Sequence, residues 1–159
     1  MRLELGLDAT ALGSALAEPQ YAFNKDRNQY HATPILRRLA PQRLGDQLGV
    51  LGVAEVDLFI PDAPFVFSET DRGSRTAIVS IARMRPELSG RPPNNDLVRA
   101  RARAEAVHAA GLLVGLSHCE DLRCVMFLAL SAADVDRKGM SLCHECRAEL
   151  VRLTAAAAR

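Results

Sequence analysis

This sequence has little excess charge, no long apolar run and few aromatic residues. Lys and Arg number 20 against 19 for Asp and Glu, a formal net charge of +1. Such an even balance leaves no electrostatic footprint for nucleic acid or an anionic membrane surface. Aromatic residues make up 4% of the chain and are not interleaved with basic ones, which argues against a zinc-ribbon nucleic-acid module. No stretch approaches the roughly 18 uninterrupted apolar residues that a membrane helix needs. The opening Met1-Arg-Leu-Glu-Leu-Gly-Leu-Asp8 lacks the apolar core of a secretory signal. Internal repeats and low-complexity linkers are also missing. The expectation is one domain over residues 1–159, a cytoplasmic monomer. Cysteine is absent outside one segment, where it occurs as Cys119-x4-Cys124-x18-Cys143-x2-Cys146. In a cytosolic protein such clustering favours a metal over disulfides.

The rest of the chain alternates strand and helix patterns. Arg2 to Leu7 alternates with period two, as a strand with one buried face would. Thr33-Pro34 is placed to start a helix, with proline at its first position. Ile35, Leu36, Leu39 and Leu44 would form the apolar face, and Pro41 would kink or end it. Val50 to Ile60 predicts one strand ending at Pro61. Phe65 to Glu69, bracketed by Pro64 and Asp71-Arg-Gly73, predicts an edge strand. Ala77-Ile-Val-Ser-Ile-Ala82 predicts a buried strand. A loop follows from Pro86, and Asn94 or Asn95 caps a long helix. Leu97, Val98, Ala100, Ala104, Val107 and Gly111 mark its buried side. Arg99, Arg101, Arg103 and Glu105 mark its wet side, and Gly115 ends it. Glu145 to Ala158 closes the chain as a second, alanine-rich helix.

Four thiolates satisfy the tetrahedral preference of zinc and leave no open position. Cys143-x2-Cys146 is a chelating turn at the start of a helix, where the macrodipole favours thiolate. Cys119 and Cys124 supply the other two ligands. The segment 119–146 is therefore expected to hold one structural Zn2+ that pins the last helix to the loop. Immediately before it stands His108-Ala-Ala-Gly-Leu112-Leu-Val-Gly115-Leu-Ser-His118. The zinc-peptidase pattern H-E-x-x-H-x-x-G-x-x-H sets two histidines one helical turn apart, a glycine turn and a third histidine. In that frame His108, Gly115 and His118 are present. Ala109 replaces the glutamate general base, and Leu112 replaces the second ligand.

At this point the chain resembles the archaemetzincins, a family of the metzincin clan. Their helix motif runs directly into C-x4-C-x-M and a later C-x2-C. Here His118-Cys119-x4-Cys124-Val-Met126, Asp136-Arg-Lys-Gly139 and Cys143-x2-Cys146 match. The upstream Gln29-Tyr30, Gly52 to Pro61, Phe65-Val-Phe67 and Ala77 to Arg83 also look similar. The resemblance implies a mixed α/β fold. It would be a compact metzincin-like domain with a twisted mixed sheet, a backing helix, an active-site helix, and a C-terminal helix held by the four-cysteine zinc.

The resemblance also implies roles. Cys119, Cys124, Cys143 and Cys146 match the structural zinc ligands. His108 and His118 match the first and third catalytic ligands, and Met126 matches the methionine of the turn beneath that metal. Phe65, Val66, Phe67, Ser68, Glu69 and Thr70 match the strand on the rim of the cleft, against which an extended peptide or protein segment could pair. With Ala109 and Leu112 in place, no catalytic residue is assigned. The expectation is a pseudopeptidase that retains one structural zinc, lacks the catalytic zinc and keeps a peptide-binding cleft. The alternative is an active metallopeptidase that recruits Glu105 beside His108 and His118. Helical side chains lean toward the N-terminus, so the Glu105 carboxylate is expected to point away from that metal position.

Overall fold

Thr76–Ser80 is buried at each of its five positions, and the domain is layered around it. The computed structural model describes residues 2–12 and 16–157. In chain order its strands are β1 (Phe23–Asn24), β2 (Gln29–His31), β3 (Val50–Ala54), β4 (Leu58–Ile60), β5 (Ala63–Val66), β6 (Ser68–Asp71) and β7 (Thr76–Ser80). The helices are α1 (Arg2–Leu5), α2 (Ala32–Leu39), α3 (Asn95–Leu113), α4 (Ala132–Lys138) and α5 (His144–Ala157). The expected last residue of the closing helix, Ala158, lies outside the described residues. No described helix is long and apolar enough to cross a membrane.

The strands form two mixed sheets rather than the single one expected. One runs β1-β2-β4-β5 and the other β3-β7-β6. In the second, β3 pairs parallel to β7 and β6 pairs antiparallel to it. The stretch from Val50 to Ile60 is therefore two strands, because its middle residues hand the chain from one sheet to the other. Ala54 still accepts a backbone bond from Ile81, whereas Asp57 accepts one from Tyr30. Between them the Ser80 hydroxyl donates to the Val56 carbonyl at 2.6 Å, and Arg83 grips the Asp57 carboxylate with two bonds of 2.7 Å.

The expected rim strand is divided in the same way. Phe65 and Val66 end β5 on the edge of the first sheet, and Ser68, Glu69 and Thr70 lie in β6 on the edge of the second. Phe67 is the buried pivot, its carbonyl bonded by Ser80 N–H at 2.8 Å.

Two helices cover the sheets. Ile35, Leu36 and Leu39 of α2 share a buried cluster with Val50, Leu58 and Ile78. Ala104 and Ala109 of α3 share another with Phe67, Ala77 and Val79. Alternate residues of β7 thus face opposite helices, the arrangement that needs a strand apolar on both sides. Pro34 falls third in α2, where its missing N–H is still no loss. Pro41 ends the helix, and the chain continues as a short 3-10 turn, Ala40–Gln42. Leu44 then lies exposed outside the helix.

The N-terminal strand is a further correction. Arg2–Leu5 is a single helical turn. Among the described residues it pairs with no strand. Instead Leu5 is buried with Leu116, Leu142 and Leu150, and the Glu4 carboxylate accepts from Leu142 N–H and from Arg147, both at 3.2 Å.

Candidate metal centre and adjoining cleft

Helix α3 sets the geometry of the site at both its ends. Asn94 caps it, its side chain accepting from Leu97 N–H at 2.9 Å. At the far end Gly115 has φ +107, a conformation that side-chain-bearing residues rarely adopt. Gly115 N–H bonds to the Leu112 carbonyl at 3.1 Å, and Leu116 N–H to that of Gly111 at 3.0 Å. This paired closure turns the chain sharply. It brings His118 back over the helix, so that its ring stacks on His108 with centroids 5.2 Å apart and planes 16° from parallel.

His108 is buried, and its Nδ1 lies 3.0 Å from the Val125 carbonyl oxygen. A carbonyl can only accept, so Nδ1 carries the proton and Nε2 keeps its lone pair. Burial, followed by the Lys138 ammonium, pushes this imidazole down to about 4. Burial, Lys138 and Arg72 lower His118 as well. Met126 sits fully buried under the same helix. A Cβ on Gly111 would lie 2.5 Å from its sulfur, so the glycine is what lets the two surfaces meet.

The cysteines converge. Their four sulfurs lie within 4.8 Å of one another, and none is in a disulfide. A tetrahedron with Zn–S bonds of about 2.3 Å has edges of about 3.8 Å, and the sulfurs of Cys119 and Cys143 are 3.8 Å apart. Met126 N–H and Cys143 N–H each point at the Cys124 sulfur, and Cys146 N–H at that of Cys143, all at 3.4 Å. Such donors orient and stabilise ligating thiolates. The Cys146 N–H, above all, lowers the Cys143 thiol, while burial raises those of Cys119 and Cys146. The residues fit a zinc held by four thiolates.

The neighbouring position does not fit a catalytic metal in the same way. Ala109 is fully buried in the cluster with Phe67 and Val79. Leu112, half-buried, lines a cleft of about 480 Å³ together with Thr70, Asp71, Arg72, Gly73, Ser117 and His118. Among the described residues, the four cysteines are the group of three or more His, Cys, Asp or Glu side chains placed to share an ion.

The wet side of α3 needs correction. Arg99 and Arg103 are exposed, but Arg101 and Glu105 are buried, whereas Ala100 is exposed. Arg101 holds both oxygens of Asp136, at 2.7 and 2.6 Å, and bonds the Met84 carbonyl at 2.6 Å. The Glu105 carboxylate receives the Ser68 hydroxyl at 3.0 Å on one oxygen and faces the Lys138 ammonium at 2.7 Å on the other. The second contact is a buried ion pair. Lys138 also donates to the Phe127 carbonyl at 3.1 Å. Sequence reasoning missed the buried role of Lys138, since a lysine at the end of a short charged helix reads as solvated. It also missed Arg72, which bonds the Leu116 carbonyl across the cleft. Glycine at position 111, inside a helix, was a readable sign of a close approach.

Comparison with known proteins gives concordant matches. Residues 14–152 match peptidase family M54. An archaemetzincin of Methanocaldococcus jannaschii is 42% identical over 132 residues, covering 83% of this chain and 72% of that protein. Among solved structures, a zinc-dependent peptidase from Methanocorpusculum labreanum superposes with a TM-score of 0.77 at 31% identity, covering 84% of this chain and 80% of that one. The archaemetzincin of Methanopyrus kandleri superposes with a TM-score of 0.76 at 35% identity, covering 87% and 73%.

Proposed function

The chain belongs to peptidase family M54, the archaemetzincins, and we propose that it is a pseudopeptidase of that family. On this reading it keeps the four-cysteine zinc, does not hydrolyse peptide bonds and offers its cleft to extended peptide segments. One observation carries the reading: a histidine held as a ligand would be held, His108 on Val125, stands beside Ala109 and Leu112 where a base and a second ligand belong.

In peptidases with the complete motif the metal supplies an activated water, and the glutamate handles its proton. Loss of such general-base help alone lowers rates by about 10²–10⁴, and here a ligand is lost as well. Glu105 does not fill either role, because Lys138 and Ser68 already hold its carboxylate. A zinc held by Cys119, Cys124, Cys143 and Cys146 would fasten the start of α5 to the loop at 119–124. Peptide pairing is supported by β6, an edge strand whose outer side has no strand partner among the described residues. The reading extends to a cytoplasmic monomer without a nucleic-acid or membrane partner, in keeping with the net charge of +1.

Metal analysis of the purified protein tests the proposal. The expected result is close to one zinc per chain, with no cleavage of unstructured peptides. Two tightly held zinc ions, with chelator-sensitive cleavage abolished by His118→Ala, would overturn it.

A further inference from the structure

We propose that the cleft takes the C-terminal carboxylate of an extended peptide, with Arg72 as its anchor. The inference rests on the reading of this cleft as a peptide site and names the part of the peptide it selects.

Arg72 is exposed in the turn after β6 and lines the cleft beside His118 and Ser117. Its guanidinium reaches the Leu116 carbonyl, a contact that fixes the group across the cleft and uses one of its five N–H donors. Among the described residues no carboxylate pairs with it. The acid on the cleft lining is Asp71, and its oxygens serve its own turn. One accepts from Gly73 N–H at 2.9 Å, the other from the Ser74 hydroxyl at 2.7 Å. A fixed guanidinium without a counter-charge, next to a hydroxyl and an imidazole, suits a carboxylate.

The surroundings specify a peptide rather than a bare anion. Thr70, also on the lining, belongs to the edge strand β6, and its hydroxyl is buried without a hydrogen-bond partner. Leu112 gives an apolar surface for the terminal side chain.

The test is fluorescence anisotropy with a labelled pentapeptide of alternating alanine and threonine ending in leucine. It is prepared with either a free C-terminal carboxylate or an amide. The acid should bind on the order of ten- to a hundredfold more tightly than the amide, as a charge-assisted pair implies. Arg72→Gln should erase that gap, and Arg72→Lys should restore part of it. Zinc content equal to wild type shows that each variant is folded. Equal binding of acid and amide overturns the inference and leaves the peptide cleft standing. Binding of neither overturns both. Displacement by acetate at the peptide's own concentration also overturns it, since the site would then recognise a free carboxylate alone.

Discussion

The ammonium of Lys138 lies 2.7 Å from a carboxylate oxygen of Glu105, with the two side chains 0% and 3% exposed. This pair ties the middle of α3 to the end of α4 and bears on both stacked histidines, which burial, first of all, holds below the usual imidazole range. Lys138 depresses both His108 and His118, while Glu105 acts in the opposite sense on each. A buried pair of this kind contributes little net stability against an apolar replacement, but either half left alone is costly.

Lys138→Met should therefore destabilise the domain by about 3–5 kcal/mol, because it leaves a charged Glu105 buried without its counter-charge, with only the Ser68 hydroxyl still bonded to it. Lys138→Met with Glu105→Gln should cost clearly less than the sum of the single changes. Urea unfolding of the four proteins measures the coupling. Additive effects would mean that the pair is not a unit.

Removal of the zinc should loosen the tail of the fold first. The Cys124 sulfur accepts from two backbone N–H groups, and α5 starts immediately after Cys143. Without the ion, four converging thiols are left with nothing to hold them together. Chelation or Cys124→Ser should lower the melting temperature and accelerate amide hydrogen exchange in α5 and residues 119–127. Exchange in β7 should change least.

Restoring the lost groups should restore a second metal. Leu112→His replaces a half-buried side chain on the cleft lining and should fold well. Ala109→Glu places a carboxylate where alanine is fully covered, so alone it should cost about 1–3 kcal/mol. The double variant should take up close to two zinc ions per chain by elemental analysis. Uptake of only one would mean that α3 is not superimposed on the clan's active-site helix.

His108 gives the protein a pH dependence of known sign. Its imidazole titrates at about 4 when folded against an ordinary value of 6.5. Below pH 6.5 the unfolded chain binds a proton that the folded chain refuses. Stability is therefore lost as pH falls from about 6.5 to about 4 and not further below. The full effect is on the order of 3 kcal/mol. An NMR titration of the His108 ring should show a midpoint near 4, and a midpoint near 6.5 would refute its burial.

The histidine pair illustrates how much was legible beforehand. His108, Gly115 and His118 are near neighbours in sequence, so helical periodicity and one glycine turn suffice to place them together. The same holds for the cysteines, whose thiol chemistry leaves few other uses. Glu105 and Arg101 were misread for the opposite reason. Helical spacing says which residues share a face, yet not that Lys138 and Asp136 come from a distant helix to neutralise them. Likewise, Val50 to Ile60 has the composition of one long strand. Only the backbone bonds from Ile81 and Tyr30 divide it between two sheets.

Local chemistry alone thus determined the clustering of four cysteines able to hold a metal, the cap of α3, its glycine stop and the placing of Ala109 beside His108 and of Leu112 one helical turn on, since each depends on residues close along the chain. Folding in three dimensions decided the rest: the helical turn at the N-terminus, the pivot at Phe67, the Lys138–Glu105 pair and the contact of Arg72 with Leu116. These rest on partners far apart in sequence, and no spacing rule reports whether such groups meet.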